Sequence, residues 1–136
     1  MIDFQTVNVA MPPIDAEAVR KWIVEVAGRH AKRVGRIDYC FCDDPYIRKA
    51  NVEFLGHDYD TDVITFDYTR GDRISGDILS SLDTVADNAL NLGVTYDSEL
   101  HRVIIHGILH LCGINDKGPG EREIMEAHEN DALSIR

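Results

Sequence analysis

His106-Gly-Ile-Leu-His110-Leu-Cys-Gly113-Ile-Asn-Asp116 decides how this chain is read. Two His four residues apart lie on one face of a helix, with Cβ atoms about 6 Å apart. Both imidazoles then reach a single ion at the usual zinc–nitrogen distance of about 2.0–2.1 Å. Gly113 is placed to end the helix, because glycine takes the left-handed conformation that a helix C-terminus often requires. The chain then turns back and offers Asp116 as a third ligand. Three protein ligands leave one coordination position for water, the pattern of a catalytic rather than a structural zinc site. Two imidazoles on an otherwise apolar helix also need partners once buried, and one shared ion supplies both.

The spacing H-x-x-x-H-x-x-G-x-x-(H/D) is similar to that of the metzincin metalloproteases, with one departure. Their motif has Glu after the first His, as the base that activates water. This chain has Gly107 there. The ligand geometry survives, and a peptidase built on this helix would lack its base.

Working outward, the pattern is α+β. Phe4 to Val9 reads as a first strand, and Pro12-Pro13 breaks it. Asp15 caps a helix running to about Ala31, with Val19, Trp22, Ile23 and Val26 on one stripe. Gly35 to Cys42 alternates as a strand. Asp44-Pro45 opens a short helix as cap and first residue, and Gly56 to Asp60 is a loop. Val63 to Tyr68 and Ile74 to Ser80 form a hairpin around Gly71-Asp72. Leu82 to Leu92 is a helix stopped by Gly93. Asp97 caps the metal helix, and Glu121 to Leu133 is a final amphipathic helix. The expectation is one domain over residues 1–136: a small mixed β-sheet packed with helices, with the metal site on a central helix and the following turn.

Composition sets further bounds. A chain of 136 residues is long enough to bury a real core. No apolar stretch approaches membrane-spanning length, and Met1-Ile-Asp-Phe-Gln5 does not read as a secretory leader. Three Cys, an odd number, argue against a disulfide framework and suit a reducing cytoplasm. The net charge is −10, divided as +1 in residues 1–50 and −11 in residues 51–136. Arg29, Lys32, Arg33 and Arg36 are the densest basic cluster. They suit phosphate contact, or simply a solvated face at a helix C-terminus.

Other polar residues read as structural. Cys40 and Cys42 are taken to sit on opposite faces of their strand, as small buried hydrophobes. Cys112 lies about 200° from His110 around the helix and belongs to the core or to the shell behind the ligands. Asp58, Asp60 and Asp62 read as a solvated loop, with Asp62 holding a turn. His101 and His128 read as surface residues, and Arg70 and Arg73 as a charged turn.

The metal segment also resembles the signature of the YbeY endoribonucleases, or rRNA maturation factors, H-G-x-L-H-L-x-G-Y-D-H. It matches at His106, Gly107, Leu109, His110, Leu111 and Gly113. Upstream, Asn51 to Phe66 is similar to the family's N-x-x-Y-R-x-K-D-x-P-T-(D/N)-V-L-S-F, Ser75 to Ser80 to its G-D-I strand, and Glu99 to its Glu before the metal helix. Three positions depart. The third His is Asp116, the Arg is Leu55, and the Pro is Asp60.

The resemblance implies a metal-dependent, single-strand-specific endoribonuclease acting in ribosomal RNA maturation in the cytoplasm. Its partners would be single-stranded or ribosomal RNA and the ribosome or small-subunit proteins, with neither DNA nor a membrane. The implied cofactor is one Zn2+ per chain, other divalent ions being possible, on His106, His110 and Asp116. His57 is the candidate for a base reaching the cleft. The alternatives are an RNA- or ribosome-binding factor with a structural metal and a metzincin-like hydrolase of another substrate.

Overall fold

The computed structural model describes residues 1–56 and 61–136. β1 (Ile2–Thr6) pairs in parallel with β2 (Arg33–Cys42), and the two are joined by α1 (Ala16–Arg29). α2 (Asp44–Leu55) follows, then β3 (Val63–Asp67) and β4 (Arg73–Ser81). β4 lies parallel to β2 and antiparallel to β3, so the sheet order is β1-β2-β4-β3. α3 (Leu82–Leu92), α4 (Tyr96–Leu111) and α5 (Glu121–Ser134) complete the chain. This is the mixed sheet and the β3–β4 hairpin that the sequence implies, with Gly71 taking a φ of +59° in the turn.

Strand alternation sorts the core into two layers. Ile37, Tyr39 and Phe41 of β2 are fully buried on one face, packed with α1, α4 and parts of α3 and α5. The α1 stripe of Val19, Trp22, Ile23 and Val26 is buried there as expected, each side chain worth about 1.5–3 kcal/mol of burial. Cys42 lies on the other face, with Ile47 and Ala50 of α2 and Ile64 of β3. Cys40 and Cys42 therefore share a face rather than taking opposite ones, because residues two apart in a strand point the same way. Burial pushes the Cys42 thiol up to about 12, so it behaves as a small hydrophobe.

Three boundaries differ from the sequence reading. β1 ends at Thr6 rather than Val9 because Asn8 takes a φ of +64° and breaks the strand. The cap of α2 is Asp43, whose side chain accepts from Tyr46 N, and Asp44 instead accepts bonds from Ser81 and Thr84 at the start of α3. The cap of α4 is Thr95, accepting from Ser98 N. Asp97 lies inside that first turn and pairs with Arg136.

α5 is pinned across the molecule. Trp22 of α1 donates its indole N–H to Ala132 O at 2.9 Å in a buried contact. That bond sets how α5 lies over α4, and so which α5 residues face the His106 side.

Candidate metal centre

α4 carries His106 and His110 on one face, with ring centroids 4.6 Å apart. The helix ends as a Schellman motif: Gly113 N–H donates to His110 O at 3.0 Å and Ile114 N–H to Leu109 O at 3.1 Å. Gly113 has a φ of +94°, which a side chain would resist. The reversed chain brings Asp116 back over the helix. His106 Nε2 then lies 3.1 Å from His110 Nε2 and 3.3 Å from Asp116 Oδ2, and His110 Nε2 lies 3.5 Å from the same oxygen. Ligands of a tetrahedral ion at about 2.0–2.1 Å stand about 3.3 Å from one another. The three atoms therefore have the mutual spacing of ligands on one small divalent ion.

Two more observations test that fit. Asp116 Oδ1 is buried without a hydrogen-bond partner among the described residues, a state that normally has a cause. His106 donates Nδ1–H to Glu129 Oε2 at 2.6 Å, which leaves the Nε2 lone pair facing its neighbours. A carboxylate behind a ligating imidazole fixes its tautomer and raises its basicity. Arg102 holds Glu129 in turn, through Nη1 to Oε1 at 2.9 Å. The residues present fit a divalent cation.

The electrostatics follow the same arrangement. Burial alone would lower the His106 pKa, but the Glu129 bond and charge, with Asp62 and Asp116, outweigh it and raise it. For His110, burial and the charge of the neighbouring His106 outweigh the charge and bond of Asp116 and lower its pKa. For Glu129, burial works to raise the pKa, and the bonds from His106 and Arg102 overcome it and hold the carboxyl low.

Gly107 does not face the triad. A Cβ there would meet Ile78 Cγ2 of β4 at 3.0 Å, so the position exists for close packing of α4 on the sheet. A glutamate base has no room at this site.

Two clefts open on the triad, sharing Asp62, His106 and Asp116 as a common wall. The larger, about 560 Å³, runs between α4 and α5 and includes Glu99, Arg102, Arg122 and Glu129. The smaller, about 230 Å³, lies against α2 and β3 and includes Asn51, Leu55, His110 and Lys117.

His106, His110 and Asp116, singled out by spacing, are thus brought together. His57, with Asp58 and Asp60, lies outside the described residues. Asp62 lines both clefts, and the Thr61 hydroxyl beside it donates to Val63 O at 3.1 Å. His101 is buried rather than at the surface, and His128 is half-buried against His30 at 5.0 Å between ring centroids. Of the basic cluster, Arg29 pairs with Glu25, Arg33 with Asp72 and Arg36 with Asp38. None of the four lines either cleft.

Glu129 and Arg102 were not found from the sequence. The available signal was Glu129 itself: Met125, Glu129 and Ala132 are the buried stripe of α5, and a carboxylate on such a stripe needs a partner.

Known proteins resemble this chain over nearly its whole length. The family model for endoribonuclease YbeY matches residues 2–135. A protein of Phocaeicola vulgatus named endoribonuclease YbeY is 62% identical over 135 residues, covering 99% of this chain and 98% of its own. One of Bacteroides thetaiotaomicron with the same name is 58% identical over 135 residues, again covering 99% and 98%. The solution structure of TM1509 from Thermotoga maritima aligns with a TM-score of 0.69 at 26% identity, covering 99% of this chain and 91% of that one.

Proposed function

This chain belongs to the YbeY endoribonuclease family, and on that premise we propose that it is a divalent-metal-dependent endoribonuclease. Its substrate is single-stranded ribosomal RNA during maturation, in the cytoplasm, with the ribosome or small-subunit proteins as partners. The ion we assign is zinc, one per chain, on His106, His110 and Asp116. Two imidazoles and one carboxylate suit zinc and leave a coordination position open. The carrying observation is the convergence of three donor atoms within 3.1–3.5 Å of one another, on a wall shared by two clefts.

The chemistry that a bound divalent ion supplies is Lewis acidity toward a phosphoryl oxygen and toward water. This chain's residues do the rest. Glu129 keeps the His106 proton on Nδ1, so Nε2 stays a neutral donor. Arg102 keeps Glu129 ionised and in place. Asp116 sets the charge of the ligand group at one negative, where three imidazoles would leave it neutral. Burial by α4 and the returning turn limits water at the back of the site.

The test is elemental analysis of purified protein. Wild type is expected to carry one ion per chain, His110→Ala and Asp116→Ala much less, and Asp116→His to retain it. Equal metal content in wild type and His110→Ala contradicts the assignment.

A further inference from the structure

Arg102 stands between two buried carboxylates. Glu99 lies one turn before it on α4, and Glu129 faces it from α5. It pairs with Glu129, Nη1 to Oε1 at 2.9 Å, and makes no ion pair with Glu99 among the described residues. Its charge still reaches Glu99. Burial pushes the Glu99 carboxyl up, and Arg102 is the first influence that opposes this. A buried carboxylate is stabilised by the cation beside it, so Glu99 competes for the guanidinium.

A third contact decides the competition. Arg102 Nη2 donates to Asn130 Oδ1 at 2.7 Å. Asn130 is exposed and follows Glu129 directly, so the two arms of one planar guanidinium grip consecutive residues of α5. Arginine has only donors, which fixes the amide with its oxygen toward Arg102. The amide is neutral. It draws the guanidinium to α5 without adding another charge to a cleft already lined by carboxylates.

Glu129 is thereby held from both sides, Oε1 by Arg102 and Oε2 by His106 Nδ1–H at 2.6 Å. A guanidinium turned toward Glu99 would leave Oε1 unpaired at a buried position, which is costly, and would free the carboxylate to rotate. His106 would then lose the fixed acceptor that keeps its proton on Nδ1. A proton on Nε2 instead would block the atom that faces His110 and Asp116.

Resting on the metal assignment above, we propose that Asn130 is a positioning residue of the metal centre, committing Arg102 to Glu129 rather than Glu99 and so keeping His106 in the tautomer that accepts an ion. It acts through Arg102 and Glu129, not on the ion itself.

The test combines nitrogen-15 NMR of the histidines in chelated protein with Zn2+ affinity, measured by competition with a chelator of known affinity. Wild type is expected to show His106 protonated on Nδ1. Asn130→Ala should give a mixture of tautomers and bind Zn2+ severalfold more weakly, short of the about 10-fold minimum for losing a partner in direct contact with a ligand. Asn130→Asp keeps the acceptor and should bind within about twofold of wild type, as mild surface changes do. Arg102→Lys replaces the fork by a point charge and should behave like Asn130→Ala. Adding Glu99→Gln to Asn130→Ala removes the competing charge and should recover tautomer and affinity together. A merely structural role for Asn130 would lower the melting temperature and move neither the tautomer nor the response to Glu99→Gln. The proposal is overturned if Asn130→Ala keeps the wild-type tautomer, if it binds Zn2+ like wild type, or if Glu99→Gln restores nothing. Wild type that binds no ion removes the metal assignment instead, and the tautomer then still reports whether Asn130 sets His106.

Discussion

His101 and His106 sit five residues apart on one helix and have opposite fates. His101 is 5% exposed, with Nδ1 2.7 Å from the Asp97 carbonyl one turn back and its ring 5.8 Å from Trp22. Its polar needs are met inside the helix, and its ring is part of the core. His106 gives Nδ1–H to the Glu129 carboxylate at 2.6 Å and turns Nε2 toward His110 and Asp116. An imidazole satisfied by its own helix is structural, whereas one oriented by a distant carboxylate is prepared for a ligand. The difference comes from what stands opposite each ring: α1 for His101, α5 and the returning turn for His106.

Removing the orienting charge should have the largest effect. Glu129→Gln should weaken metal binding about 10- to 100-fold, the usual cost of losing a partner behind a ligand. Competition with a chelator of known affinity measures it, and unchanged affinity would mean that His106 needs no orientation.

The second change targets the other histidine. His101→Leu should lower stability by about 1–3 kcal/mol through the lost buried bond and altered packing on Trp22. Metal stoichiometry should stay at the wild-type value. Denaturant unfolding of chelated protein, with elemental analysis of the loaded form, separates the two effects. Metal loss in this variant would erase the contrast.

The smallest effect belongs to His30, which meets His128 edge-on with no carboxylate bonded to either ring among the described residues. Burial, followed by the charge of His128, lowers its pKa below 6.5 despite Asp131. The folded state therefore disfavours the proton. The stabilisation from His30 is complete above the unfolded value of about 6.5 and is lost as pH falls toward the lowered folded value. Thermal melts of chelated wild type and His30→Asn at pH 5 and pH 7.5 should show a smaller acid loss in the variant. An equal loss would place the titration elsewhere.

Much of this is legible in the sequence. The i, i+4 His pair, Gly113 and Asp116 are local, and local geometry dictates both the helix face and the turn. The α1 stripe and the β3–β4 hairpin were legible for the same reason. The caps were less so, because adjacent Asp43 and Asp44 compete for one role. The choice fell to the distant Ser81 and Thr84, which claim Asp44. Glu129 was out of reach for a related reason. It meets His106 across 23 positions, and only the docking of α5 through Trp22 and Ala132 brings them together. His101 lies off the ligand stripe yet is buried, because that side of α4 faces α1.

We propose that the His106–His110–Asp116 group holds a catalytic ion rather than a structural one. The most direct test is cleavage of single-stranded RNA by purified protein, before and after chelation and after adding metal back, with melting curves recorded on the same samples. The account predicts cleavage that chelation abolishes and metal restores, while the chelated protein keeps a cooperative melt. If metal-loaded protein cleaves no RNA, alone or with ribosomes, and chelation only unfolds it, the ion is structural and the account is wrong.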